Sequence, residues 1–190
     1  VTIDAAGVVF TMTKELDKAV HIVELENVAL RNFVIEDGVY NWGIFVVRST
    51  GISIEDTVLN NAACKALVVL GENKYLDISR CSIDNSGNGS VILNGDISRV
   101  IFESNTITNT KGTPNFSAAV VITSIPIPDY NTAYNPFVEE PICDRYASPH
   151  EMVVLSNYVY KSNSSGIYSD GSYCNYFIDN TLYLNDKEGM

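Results

Sequence analysis

A period of 24 residues runs through this chain and limits its possible folds more than any other feature. Val28-x-Leu30, Ile52-x-Ile54, Leu76-x-Ile78 and Val100-x-Phe102 each open an apolar alternation, one period after the last. Five residues beyond the second member of each pair stands another apolar residue: Ile35, Leu59, Ile83 and Ile107. Two residues further on comes a polar turn residue: Asp37, Asn61, Asn85 and Asn109. A period of two is the pattern of a strand with one buried face, and self-similarity at a fixed spacing of about 20 to 50 residues marks a repeat array. The strands are bounded by Asn, Asp, Gly and Ser, with no helical pattern between them. Each copy therefore reads as one coil of a parallel β-helix, which cannot bury its apolar side alone and stacks on its neighbours.

The turn residues support the same reading. In stacked coils, equivalent residues lie about 4.8 Å apart. Asn tolerates the left-handed conformation of a tight turn, and its amide bonds the residues above and below. The column is expected to resume at Ser162 and Asn185, counted from Val153-x-Leu155 and Tyr176-x-Ile178. A second strand per coil is marked by Gly43-Ile44-Phe45-Val46, Ala66-Leu67-Val68-Val69, Gly89-Ser90-Val91-Ile92-Leu93 and Gly166-Ile167-Tyr168.

At 190 residues the chain holds roughly seven to eight coils in one elongated domain, residues 1–190. Both ends read as cut. Val1-Thr2-Ile3-Asp4 is already a strand, and Lys187-Glu188-Gly189-Met190 stops where the next should begin, so a piece of a longer protein is expected. Twelve Lys and Arg against 23 Asp and Glu give a net charge of −11. That balance opposes binding to nucleic acid or anionic membrane, which needs a basic surface. No apolar run reaches the roughly 20 residues of a transmembrane span.

Cys64, Cys81, Cys143 and Cys174 have no metal-ligand spacing. Cys64 and Cys81 occupy different phases of the coil and are not expected to bond. Cys143 and Cys174 both fall in the irregular C-terminal third, and a disulfide between them stays open. Asn-x-Ser sequons occur at Asn88, Asn115 and Asn163. The Asn-, Ser- and Thr-rich surface favours an extracellular or cell-surface location. No cofactor is expected, and no motif supports a calcium site.

The rhythm breaks after Ala118-Ala119-Val120-Val121-Ile122. The next matched strand start, Val153, follows Val100 by 53 residues rather than 48, and four of the six prolines fall between Pro126 and Pro141. Proline cannot donate to a sheet ladder, so residues 125–146 are expected to leave the stack as an inserted loop. Excursions from a rigid scaffold are where binding and catalytic groups concentrate.

At the exit of that loop lies Asp144-Arg145-Tyr146-Ala147-Ser148-Pro149-His150-Glu151, with Tyr168-Ser169-Asp170 one coil later. Asp170 falls in the phase of Val46, Leu70, Asn94 and Ala147. It is expected to point outward, one rung from Ala147 and within reach of His150. Imidazole, carboxylate, phenol and guanidinium on one face can share acid and base roles. His21, inside a regular strand, reads as structural. The many late tyrosines suit stacking on sugar rings, although Tyr is also a good strand residue.

The repeats look like those of the pectin-lyase-like right-handed β-helix superfamily over almost the whole chain. Gly87-Asn88-Gly89-Ser90-Val91-Ile92-Leu93-Asn94-Gly95-Asp96 is similar to a coil of bacterial β-helix glycosidase-like proteins. Tyr146-Ala147-Ser148-Pro149-His150-Glu151 resembles the Tyr-Gly-x-Asp-Pro-His-Glu segment of mannuronan C5-epimerases, with Ser148 where that family has an Asp. The resemblance implies an all-β, right-handed parallel β-helix that cleaves or epimerises a polysaccharide or oligosaccharide in a groove. It implies roles for Tyr146 and His150 as base and acid, with Asp170 beside them and Arg145 neutralising the substrate carboxylate. The scarcity of basic residues argues against a polyuronate. Two other readings stand beside it: a glycoside hydrolase pairing Asp170 with Glu151 or Asp144, and a non-catalytic carbohydrate-binding, adhesin or tailspike-like solenoid.

Overall fold

The computed structural model describes residues 1–11, 18–36, 42–111, 118–124 and 148–187. The described residues contain strands and no helix, in three parallel sheets around which the chain winds as a β-solenoid. The first sheet stacks Thr2–Asp4, Glu26–Arg31, Thr50–Glu55, Asn73–Ser79, Ile97–Glu103, His150–Leu155 and Tyr176–Ile178. The second stacks Val9–Thr11, Val34–Glu36, Val58–Asn60, Ser82–Asp84, Thr106–Thr108, Tyr158–Tyr160 and Thr181–Tyr183. The third stacks Lys18–Val23, Trp42–Val47, Lys65–Leu70, Val91–Asn94, Val120–Thr123 and Ile167–Asp170. This makes about six turns, slightly fewer than the length suggests. Dividing length by period counts residues 125–147 as a coil, and those residues, with the expected loop at 125–146, lie outside the described set.

The 24-residue register is realised in the first four copies. Val28, Ile52, Leu76 and Val100 pair in line, as do Leu30, Ile54, Ile78 and Phe102, and all are buried. Later the phase differs by one residue from expectation. Val100 pairs with Met152 and Phe102 with Val154, both fully buried, whereas Val153 and Leu155 are only half-buried. Met152-Val153-Val154-Leu155 is apolar at every position, so alternation carries no phase there.

The same shift moves the turn column. The position of Asn61, Asn85 and Asn109 continues at Lys161 and Leu184, not at Ser162 and Asn185. All five have φ between 51° and 62°, and Asn109 N donates to Tyr160 O while Lys161 N donates to Tyr183 O. Asn85 Nδ2 donates to Asn61 Oδ1 at 2.6 Å, and Asn109 Nδ2 turns instead to Asp84 Oδ1 at 2.7 Å. Asp37 lies outside the described residues.

A second asparagine column, unforeseen in the sequence, runs inside the corner between the first and second sheets. Asn105 and Asn157 are buried, and Asn180 continues them. Each Oδ1 accepts from the backbone N–H one coil earlier: Cys81 N at 2.9 Å, Asn105 N at 3.0 Å and Asn157 N at 3.0 Å. Each Nδ2 donates to a buried strand carbonyl: Ile78 O at 3.0 Å, Phe102 O at 2.8 Å and Val154 O at 2.7 Å. The residue before each Asn takes the left-handed bend, as at Ser104, Ser156 and Asp179. Corner groups that turn inward away from water are thereby satisfied.

The four middle strands of the third sheet are buried on both faces. Ile44, Val46, Leu67, Val69, Val91, Leu93 and Ile122 join the central core. Phe45, Val47, Val68, Leu70, Ile92 and Val121 form a second buried cluster with Trp42. This explains why Trp42–Val47 and Lys65–Leu70 read as continuous apolar runs. It also corrects the expected phase, because Phe45 aligns with Val68, whereas Val46 aligns with Val69.

Replacing Asn157 by Ala removes the only side chain that satisfies Asn105 N–H and Phe102 C=O among the described residues. It is expected to destabilise by about 2 to 4 kcal/mol in urea unfolding, against about 1 kcal/mol for the exposed Asn85→Ala. Equal effects at the two sites would show that the inner column does not carry the corner.

Candidate functional site

The corner where the chain passes from the third sheet into the first gathers the richest polar chemistry. His150 opens the strand His150–Leu155, pairs in register with Ser98 and bridges to Tyr173 on the following coil. Its Nδ1 lies 2.9 Å from Ser148 O. A carbonyl oxygen only accepts, so Nδ1 carries a proton and Nε2 is the position that gains or loses one. Asp96 Oδ1 stands 3.8 Å from the same Nδ1. One face of the imidazole lies flat on Tyr173, with centroids 4.9 Å apart and planes 1° from parallel. The half-buried ring is thus held by a carbonyl, a carboxylate and an exposed phenol.

Beside it runs an outward ladder. Tyr75, Arg99 and Glu151 share one left-handed step of the first sheet, with φ of 58°, 56° and 52°. Glu151 Oε2 accepts from Arg99 Nε at 3.2 Å, and Arg99 lies 5.0 Å over the Tyr75 ring and donates to its hydroxyl. Lys74 shares the register column of Ser98 and His150. Its amine donates to Glu72 Oε1 at 2.7 Å, and that carboxylate, with a further pull from Asp96, raises the Lys74 pKa.

Asp170 ends the third-sheet strand Ile167–Asp170 and is exposed, as expected of an outward residue. Its register partner is Thr123 rather than Ala147, in a column of Val47, Leu70, Asn94 and Thr123. The expected alignment fails because the corner before each first-sheet strand differs in length from coil to coil. Tyr168 OH donates to Asp170 Oδ2 at 3.2 Å, and partial burial followed by that carboxylate raises the phenol pKa.

Asp170 precedes Tyr173 by three residues, so it approaches the His150 corner from the other sheet. Among the described contacts His150 and Asp170 share no hydrogen bond or ion pair. His150 has Asp96 and Tyr173, Asp170 has Tyr168, and Glu151 has Arg99. Tyr146, Arg145 and Asp144 lie outside the described residues.

Sequence reasoning missed Asp96, Tyr173, Lys74 and Arg99. Tyr173 was accessible, because the last two coils repeat at 23 residues and Tyr173 follows His150 by that interval. Asp96 was not, because residues 125–147 interrupt the count between it and His150. His21, in the strand Lys18–Val23, stands edge-on to Phe45 at 5.3 Å. Burial, then Lys18, lowers its pKa. Among the described residues no cluster of three His, Cys, Asp or Glu is placed to hold a metal. No family model, curated protein or solved structure matches this chain.

Cys64, Cys81 and Cys174 are free thiols, and Cys143 lies outside the described residues. Burial pushes the Cys81 thiol up to about 11, so it is no nucleophile at neutral pH. Alkylation at pH 8 followed by peptide mapping is expected to label exposed Cys174 at once and Cys81 only after denaturation. Rapid native labelling of Cys81 would contradict its place in the core.

Proposed function

We propose that this chain acts on a polysaccharide outside the cell or at its surface, by proton transfer at His150. The observation that carries the reading is the hydrogen bond from His150 Nδ1 to Ser148 O at 2.9 Å, with Asp96 and Tyr173 fixing the ring. It leaves Nε2 as a positioned base or acid at an exposed corner, the arrangement that general acid–base catalysis requires. In the lyase or C5-epimerase chemistry that the Tyr-x-x-Pro-His-Glu order suggests, Nε2 takes the proton from C5 of a uronate. The electron pair then either forms the C4–C5 double bond as the 4-O-linked sugar leaves with a proton from the acid of the pair, the role that the resemblance gives Tyr146, or takes that proton at C5 from the opposite face. Arg99 and Lys74 are the cations in the strands beside His150; each is paired with a carboxylate, Glu151 and Glu72, which a substrate carboxylate would displace in the neutralising role that the resemblance assigns to Arg145.

The hydrolase alternative is less well supported. Glu151 is engaged by Arg99 and Asp170 by Tyr168, so neither is a free partner for the other.

His150→Ala is expected to lower turnover by about 100-fold or more with the fold unchanged. The assay uses alginate, pectin and neutral glycans, following unsaturated product by ultraviolet absorbance, epimerisation by NMR and new reducing ends. Full activity in His150→Ala would overturn the role of His150. Binding without turnover on every substrate would favour the non-catalytic solenoid instead. Lys74→Met is expected to raise KM for a carboxylated substrate more than it lowers kcat. An unchanged KM would remove Lys74 from substrate recognition.

A further inference from the structure

The corner after the second sheet is a different surface from the one that carries His150. There, three successive coils line an open cleft of about 310 Å³, near the lower end of the roughly 300 to 1,000 Å³ typical of small-ligand sites. Lys111 and Lys161 line it with Asn109, Asn163, Ser162 and Asp186, and Leu184 forms its apolar edge. Neither lysine has a carboxylate partner within ion-pair distance among the described residues, and the only described contact of the Lys161 amine is the Tyr160 ring at 5.0 Å. In a chain of net charge −11, two neighbouring exposed amines that pair with no acid among the described residues are conspicuous.

The cleft opens beside an aromatic shelf. Tyr160 stacks on Tyr183 of the next coil at 5.7 Å and on Tyr158 of its own strand at 6.0 Å. Val159 between them points into the core, so both Tyr158 and Tyr160 face outward. Tyr158 and Tyr183 are exposed, as is Leu184. Elsewhere the second sheet presents no aromatic residue at these positions among the described residues: Val9, Val34, Val58, Ser82 and Thr106 align with Tyr158, and Asn60, Asp84 and Thr108 align with Tyr160. The aromatic surface is therefore confined to the coils that also build the cleft.

We propose that this cleft binds a sugar residue bearing one carboxylate within an otherwise neutral glycan, with Lys111 and Lys161 on the carboxylate and the tyrosine shelf under the adjoining rings. Aromatic faces pack on the C–H face of a pyranose, and ammonium groups give charge-assisted hydrogen bonds to a carboxylate. Asp186, Asn109 and Asn163 meet sugar hydroxyls, Asp186 as an acceptor and the amides as both donors and acceptors. The acidic surface elsewhere repels a continuous polyanion. Two lysines at one cleft suit an isolated acidic sugar better than a polyuronate or a nucleic acid. The inference takes from the proposed function only that the ligand is a glycan, and it does not depend on His150.

Calorimetry and NMR titration of the chain with a hyaluronan tetrasaccharide, in which uronate and neutral sugars alternate, test it. Its carboxyl-reduced form and tetragalacturonate serve as comparisons. The alternating tetrasaccharide is expected to bind most tightly, with amide shifts centred on Lys111, Lys161 and Leu184, and to weaken as salt rises. Lys161→Met and Lys111→Met should each weaken it by about tenfold while leaving binding of the reduced form unchanged. Tyr183→Ala should weaken both forms.

Equal affinity for the acidic and reduced tetrasaccharides would overturn the carboxylate assignment. Tighter binding of tetragalacturonate would overturn the preference for isolated charges, and wild-type binding by both lysine variants would overturn the site. His150→Ala separates the two readings. If it abolishes turnover yet binds normally here, the His150 site and this cleft are independent, and failure of one leaves the other standing.

Discussion

Each coil is hydrogen-bonded to the next through parallel strands, and this ladder constrains all else among the described residues. At a rung spacing of about 4.8 Å, like must stack on like, because a residue's nearest neighbours occupy the same place in adjacent turns. The backbone bends at the same steps in each turn. Asn32, Asp56, Arg80, Ser104, Ser156 and Asp179 all have φ between 51° and 58°, although they share neither size nor charge. The left-handed bend is imposed by the stack and not chosen by the residue, since most side chains disfavour it. A corner so bent turns amide groups inward, and the column of Asn105, Asn157 and Asn180 satisfies them.

The part of this that the sequence revealed is the part in which one face of a strand differs from the other. Val28 to Phe102 alternate cleanly, and their register follows the period. Where both faces are apolar, the phase is lost. Met152–Leu155 slipped by one residue, and the doubly buried middle strands of the third sheet gave no sign of which side faced the core. The inner asparagine column escaped for another reason. Its earlier positions hold Phe33, Thr57 and Cys81, so asparagine does not recur at the 24-residue period, and the interval from Asn105 to Asn157 is 52 residues rather than a coil length.

Sites on such a scaffold depend on neighbours one rung away. The partners of His150 divide accordingly. Tyr173 lies one coil later at the local period, whereas Asp96 lies across the irregular stretch and becomes a neighbour only in three dimensions. The same rule arranges surface charge. Arg80 reaches back one coil to Asp56 and Glu55, and Arg31 reaches forward one coil to the same Glu55. Those groups neutralise one another, whereas Lys111 and Lys161 meet no acid within ion-pair distance among the described residues.

The corners differ in their freedom to vary. From first to second sheet the step is constant after the first coil, where it runs from Asp4 to Val9: Arg31 to Val34, Glu55 to Val58, Ser79 to Ser82, Glu103 to Thr106, Leu155 to Tyr158 and Ile178 to Thr181. Buried asparagines occupy this corner from Asn105 onward, after Phe33, Thr57 and Cys81 at the same place in earlier coils, and an insertion there would strand the backbone groups that the asparagines meet. The other two corners have no such column throughout. The second-to-third corner widens from Asn60–Lys65 to Asp84–Val91 and Thr108–Val120, and the third-to-first from Asn94–Ile97 to Thr123–His150. Lengthening a surface connection costs only about 0.6 kcal/mol per doubling. Polar groups can therefore collect at the elastic corners without disturbing the ladder beneath. His150 with its partners stands at one of these corners and the lysine-lined cleft at the other, because only there does the solenoid tolerate a change in one coil that its neighbours need not copy.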